Sequence, residues 1–392
     1  MPLAVLGAAF LFNVGQGVLR PSMPLYLQRT FAANYRLVTL IPVVFGAGKW
    51  MANLPTGYLL HRLGRPLMIC GLALIAVIDF ASIATSRYGV FLGLRALGGV
   101  GWAMFATVAT TAMVNAPAPQ RRGRAVSLFL MSETSGLLLG SAAGGWLYQG
   151  VGVTSPFLFE AGCMLVGAVV VARWASISPG QPTAPGRSRE RGLLKATLRI
   201  PGVALMGVAS AVLIAIQTGV LVFLFPLYLV KRAAIGPEAV GFVVSLSVLG
   251  RLIALWFGGS ASDRWGRMRV LIPGLIIYAV LLASISWLTH PAVLSIVSVA
   301  IGAAAGFIAG IPTALASDQV DPSLQGVTIG WIRTASDSGQ IAGPLIMGAL
   351  ADAIDLSAPF LFGAALLGVT AWQCCRRANV MARPVAAGGR DS

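Results

Sequence analysis

Apolar runs of roughly twenty residues follow one another along almost the whole chain, separated by short polar breaks, and this pattern leaves few folds open. Twelve runs can be delimited, at 3–28, 37–60, 66–86, 89–115, 123–148, 154–175, 199–230, 237–261, 269–288, 293–317, 326–350 and 357–377. A helix of about 20 residues crosses the roughly 30 Å hydrocarbon core of a bilayer. Hydrophobic residues are 57% and charged residues 10% of the 392, against about 25% charged in soluble domains, so a soluble globular class is excluded. Barrel strands alternate polar and apolar residues over about ten positions. These runs do not, and in lipid an isolated segment satisfies its backbone polar groups only as a helix.

The net charge of +16 would point to nucleic acid in a soluble chain, but here the basic residues sort by loop. Loops on one face hold eighteen, among them Arg62, Arg65, Arg121, Arg122, Arg124, Arg173, Arg264, Arg267, Arg269, Arg376 and Arg377. The opposite loops hold five: Arg29, Arg36, Arg87, Lys231 and Arg232. Lys and Arg accumulate in cytoplasmic loops, so the first face is read as cytoplasmic. An even number of spans then puts both termini there, in a cell (inner) membrane. The lipid bilayer is the partner that this charge pattern implies, and no nucleic acid is expected.

Cys70, Cys163, Cys374, Cys375, His61 and His290 show no paired metal-ligand spacing. The sequence has no Gly-rich phosphate loop ending in Gly-Lys-Ser/Thr and no Ser/His/Asp or Cys/His arrangement. Neither metal, cofactor nor enzyme chemistry is expected, and ATP is not the expected energy source. The first run begins without a basic leader or a small-residue cleavage site, so it is read as a retained helix.

The chain is also duplicated. Gly57-Tyr58-Leu59-Leu60-His61-Arg62-Leu63-Gly64-Arg65 returns as Gly259-Ser260-Ala261-Ser262-Asp263-Arg264-Trp265-Gly266-Arg267, 202 residues later. Pro24-Leu25-Tyr26-Leu27 returns as Pro226-Leu227-Tyr228-Leu229 at the same offset. Further on the offset is 203: Ser135, Gly136, Gly140 and Gly145 match Ser338, Gly339, Gly343 and Gly348. Six spans per copy make the repeats parallel in the membrane. The expected organisation is a bundle over 1–177, a Pro/Gly/Ser/Arg-rich cytoplasmic linker over 178–198, a second bundle over 199–377 and a cytoplasmic tail over 378–392.

Twelve spans, a central linker and a charged hairpin after spans 2 and 8 resemble the major facilitator superfamily over essentially the whole length. The resemblance implies an all-α membrane protein of twelve transmembrane helices in two pseudo-symmetric six-helix bundles, moving a small-molecule substrate by alternating access and acting as a monomer. Its hairpin signature falls on Gly57, His61, Arg62, Gly64 and Arg65 and on Gly259, Asp263, Arg264, Gly266 and Arg267. There the family is implicated in stabilising the outward-facing state. Glycine permits the tight turn; the acid is kept as Asp263, whereas the first copy has His61 and then Pro66.

Span 5 carries Gly136, Gly140, Ser141, Gly144 and Gly145, similar to a pattern of the family's proton-coupled exporters with Ser141 in place of Pro. Span 11 carries Gly339, Gly343 and Pro344 at the repeat positions. Small residues four apart let helices approach closely, and Pro or Ser can introduce a bend.

Charges within the spans cost at least about 2.5–3.5 kcal/mol at the bilayer centre and face a cavity or pair with one another. Lys49, Arg95, Arg251 and Arg333 are therefore expected to be cavity cations; Lys49 and Arg251 are repeat equivalents, 251 − 49 = 202. Arg333 and Asp337, four apart on one helix, are expected to pair. Glu133 and Asp337 are the leading proton-coupling candidates and Asp79 the next, because a carboxyl in a closed cavity can exchange a proton when substrate changes its surroundings. Arg20 and Glu160 lie nearer the outer span ends and are read as snorkelling to water.

The leading functional expectation is proton-coupled export of a small amphipathic molecule, a drug or metabolite. The alternatives are uptake of an anionic metabolite by symport or exchange, with the cations converging on a carboxylate or phosphate, and a non-transporting membrane sensor or assembly partner.

Overall fold

The computed structural model describes residues 3–115, 122–175, 200–320 and 325–381. The expected linker 178–198 and the tail from 382 onward lie outside the described residues. Spans 1 to 4 are Leu3–Phe31, Tyr35–Leu63, Arg65–Ala84 and Tyr88–Asn115. Span 5 is Arg122–Trp146 continued by a π-helical turn, Leu147–Val151, and span 6 is Ser155–Trp174. Span 7 is built of Pro201–Ala215, a π-helical Ile216–Leu224 and Phe225–Lys231. Span 8 is Pro237–Trp265, and span 9 is Arg267–Ser284. Span 10 is Pro291–Ile308 with Ile311–Asp318, span 11 is Gln325–Ala353, and span 12 is Ala358–Met381.

Local chemistry fixes several boundaries. Asn34 caps span 2 by accepting a hydrogen bond from the Leu37 N–H at 2.9 Å, and spans 3, 6, 7, 8 and 10 carry proline in the first turn, where its missing N–H costs nothing. Spans 2 and 3 meet at the single residue Gly64 (φ 49°), and spans 8 and 9 at Gly266 (φ 92°). These positive angles suit glycine and explain why both copies of the hairpin keep it.

In lipid, burial of apolar surface does not drive helices together, and close backbone packing takes its place. The duplication is visible at this level. A methyl group built on Gly48 would overlap the Ala96 carbonyl and one on Gly99 the Phe45 carbonyl. Their repeat partners Gly250 and Gly302 would collide in the same way with the Val299 and Ser247 carbonyls. Spans 2 and 4, and likewise 8 and 10, thus meet backbone to backbone.

Nine helical segments among the described residues are long and apolar enough to cross a membrane on length and hydropathy alone. The three spans that are not are 2, 5 and 11, which carry Lys49, Glu133, Arg333 and Asp337. They pack across the molecule, span 2 against span 11 and span 5 against span 8. Their lower hydropathy reflects a face turned to the other half rather than to lipid.

Contacts between the halves gather on the face opposite the chain termini. Asp352 at the end of span 11 accepts hydrogen bonds from the N–H groups of Tyr35 (2.9 Å) and Arg36 (2.8 Å) at the start of span 2. Gln149 at the end of span 5 accepts one from the Glu238 N–H (3.2 Å) at the start of span 8. Asp352 and Gln149 are repeat equivalents, 352 − 149 = 203. Each half therefore caps the other's incoming helix in pseudo-symmetric fashion. One apolar core joins the halves on this side, including Leu25, Tyr26, Leu227 and Tyr228. A second, around Phe12, Met68 and Phe105, is confined to the first half.

Candidate functional site

The intramembrane charges fall into three separate groups. The first bridges the two halves. Lys49 Nζ on span 2 lies 2.9 Å from Asp337 Oδ1 on span 11 and donates to Gln340 Oε1 at 3.0 Å. The same ammonium sits 4.8 Å from the centre of the Trp102 ring, a geometry that adds cation–π attraction. The two side chains are only 11% and 16% exposed. The expected Arg333–Asp337 pair is not formed: Arg333 is exposed, and the carboxylate turns to the cation of the other half. An order of cation then acid along a helix is the weaker arrangement at this spacing, so a cross-helix partner prevails.

The second group is buried inside the first half. Arg95 on span 4 pairs with Asp79 on span 3 at 2.9 Å and donates to Ser82 Oγ at 2.7 Å. Its guanidinium lies over Phe91 and Phe157 at 5.4 and 5.6 Å. Glu160 on span 6, buried beside this pair, receives a hydrogen bond from Gln16 on span 1. Asp79 and Glu160 are both 0% exposed. Arg95 is therefore not a cavity cation, since its charge is met by Asp79 within the bundle. Glu160 does not snorkel; neighbouring spans enclose it despite its place near the span's outer end.

The third group lines a small, open cavity between the halves. Arg20 of span 1 and Arg251 of span 8 supply its charge, Gln217 and Ser247 its other polar side chains, and Leu137, Leu221 and Val244 part of its apolar wall. Arg251, expected as a cavity cation, is among these lining residues. Arg20 was misread, although a signal was present: it lies eleven residues before the end of its helix at Phe31, or about 16 Å along the axis, too deep for its side chain to reach water. Among the described residues neither arginine has a carboxylate at ion-pair distance.

Glu133 is half-buried and, unlike Asp337, forms no ion pair among the described residues. In the hairpins, Arg267 Nε pairs with Asp318 Oδ2 at 2.7 Å, at the end of span 10. The equivalent Arg65 donates to the Ala175 carbonyl at 3.4 Å. Asp318 is matched in the first half by Asn115, which has no charge to offer. Arg62 and Arg264 are exposed; the side chains of His61 and Asp263 lie outside the described residues.

The glycine-rich faces are packing surfaces. Cβ atoms at Gly136, Gly140 and Gly144 would strike the Phe10, Val14 and Val18 carbonyls of span 1, and Gly339 and Gly343 pack equally closely on Ala211 and Ala215 of span 7. Gly145 alone among these meets the other half, against Pro237 and Gly241. Ser141 is buried beside it, and Pro344 lies within the unbroken helix of span 11.

A family model described as Major Facilitator Superfamily matches residues 5–236 and again 207–390, two overlapping matches that follow the duplication. The chain is 24% identical over 382 residues to the Multidrug resistance protein MdtG of Escherichia coli, a match covering 95% of this chain and 93% of that protein. The fold is similar to the crystal structure of the nucleoside transporter NupG, with a TM-score of 0.80 at 12% identity over 96% of this chain and 98% of the other. It is also similar to a POT family transporter solved in complex with a thioalcohol-conjugated peptide, with a TM-score of 0.76 at 13% identity over 97% and 96% of the two chains.

Proposed function

The chain belongs to the Major Facilitator Superfamily, and on that premise we propose that it is a proton-coupled exporter of small amphipathic molecules working by alternating access. It resides in the cell (inner) membrane with both termini cytoplasmic, a reading supported by the eighteen-to-five distribution of basic residues. Export of drug-like molecules is supported by the likeness to a multidrug resistance protein.

The observation that carries the coupling is the Lys49–Asp337 ion pair. Its two charges belong to different halves, and its acid can take up a proton. Protonated Asp337 no longer compensates Lys49, so the contact holding the halves together on this face weakens and the halves can rock. Each elementary charge moved through 100 mV supplies about 2.3 kcal/mol, so a proton returning inward can drive substrate outward. Glu133 and Asp79 are the further candidates to carry the proton. The anionic-uptake alternative loses two of its cations, because Lys49 and Arg95 are already neutralised within the chain.

The test is flux in proteoliposomes with an imposed pH gradient and a panel of amphipathic dyes. Wild type should accumulate dye uphill, and Asp337→Asn should lose gradient-driven flux while keeping downhill exchange. Normal uphill transport by Asp337→Asn, Glu133→Gln and Asp79→Asn alike would remove proton coupling through these residues. A reporter fused after Ser392 that reads as external would overturn the orientation.

A further inference from the structure

The duplication exposes an unfilled position. Lys49 and Arg251 are repeat equivalents on spans 2 and 8, which pack against spans 11 and 5 in turn. Asp337, the partner of Lys49, corresponds on span 5 to Thr134, since 337 − 134 = 203. Gln340, the second partner, corresponds to Leu137, which lines the cavity with Arg251. One side of the pseudo-symmetric interface thus carries a cation with its carboxylate, and the other a cation beside Leu137, with a threonine at the position of the acid. The neighbouring acid, Glu133, is not among the residues that line the cavity. Arg20, within electrostatic reach of Arg251, adds a second positive charge to the same cavity.

We infer that Arg20 and Arg251 form the binding site for the anionic head of the transported molecule, which supplies from outside the carboxylate missing at Thr134 of span 5. The inference rests on the reading of the chain as an exporter and specifies its substrate class: an organic anion whose carboxylate, sulfonate or phosphate is joined to an apolar body. Guanidinium groups are suited to this, since they stay charged and present paired N–H donors that match a carboxylate fork. Unpaired charges within a membrane protein are costly, so the empty site favours an anion. Gln217 and Ser247 offer neutral hydrogen bonds beside it, and Leu221 and Val244 a surface for the apolar body.

The experiment compares 2-naphthoate with its neutral isostere 2-naphthamide, binding to the full-length purified protein in phosphatidylcholine nanodiscs, read by tryptophan fluorescence. Wild type should bind the acid about 10- to 100-fold more tightly than the amide, as expected for charge-assisted hydrogen bonds. Arg251→Gln and Arg20→Gln should each reduce that ratio toward one while amide binding persists, which also shows that the variants are folded. Arg251→Lys should keep part of it. Equal affinities in wild type, no binding of either probe, or a preference that survives in both Gln variants overturns the assignment. Adding phosphatidylglycerol distinguishes a lipid phosphate from a soluble anion. Competition by the lipid would assign the pocket to a headgroup and overturn the substrate claim, whereas unaffected naphthoate binding supports it. Loss of gradient-driven flux with acid preference intact would instead refute the exporter reading and leave the anion site standing.

Discussion

Removing the cross-half pair should shift the balance between the two states of the transporter by an amount that the geometry bounds. Lys49 and Asp337 touch at 2.9 Å with side chains 11% and 16% exposed. Two unit charges about 4 Å apart attract by roughly 4 kcal/mol at an effective dielectric constant of about 20, and the shorter contact exceeds that. Desolvation of two largely buried ions cancels much of the gain. A net value of about 1.5–3 kcal/mol, as for hydrogen bonds to charged groups, corresponds to about 10- to 100-fold in the closed-to-open ratio on this face. The assay is a double-mutant cycle of Lys49→Met, Asp337→Asn and the combination. Electron–electron distance measurements between spin labels at Val151 and Ile354, exposed outer positions on opposite halves, give the populations. A coupling energy within about 0.5 kcal/mol of zero, the level of independent sites, would refute the view that this pair holds the halves together.

Arg95→Gln should strip Asp79 of its cation and lower the thermal midpoint in detergent, because breaking a buried pair costs about 3–5 kcal/mol; the Asp79→Asn/Arg95→Gln combination should recover part of the loss. An unchanged midpoint for Arg95→Gln rejects the buried-pair account. Gly99→Ala should destabilise by about 1–3 kcal/mol through overpacking, whereas Gly93→Ala, with no atom within 4 Å of the added methyl, should be neutral or stabilising. Equal thermal midpoints for these two variants would contradict backbone contact between spans 2 and 4. In the hairpins, Arg267→Gln should slow transport more than Arg65→Gln at equal expression, since among the described residues Arg267 pairs with a carboxylate, Asp318, and Arg65 does not; equal flux would deny that asymmetry a role.

The architecture was legible because run length and the 202-residue echo are properties of the chain itself. The sequence marked both hairpin glycines, and the structure gives each of them positive φ. Partner choice was less legible. That Lys49 meets Asp337 depends on span 2 lying against span 11, nearly three hundred residues away, and helical spacing favoured the local Arg333 instead. Hydropathy also cannot distinguish a charge that snorkels from one turned inward, which is how Arg20 and Glu160 were misplaced. In both, the deciding quantity is what neighbouring helices cover, which appears only after packing.

The two unpartnered arginines also bear on what the cavity must refuse. A hydronium or metal ion coming within about 4 Å of either guanidinium meets roughly 4 kcal/mol of repulsion at an effective dielectric constant of about 20, and fixed positive charge of this kind bars cations from narrow aqueous paths. On the function proposed above, this repulsion keeps the proton path at the carboxyls and out of the arginine cavity. An anion seated between Arg20 and Arg251 would offset the repulsion, so the cargo itself would change which ions the cavity admits.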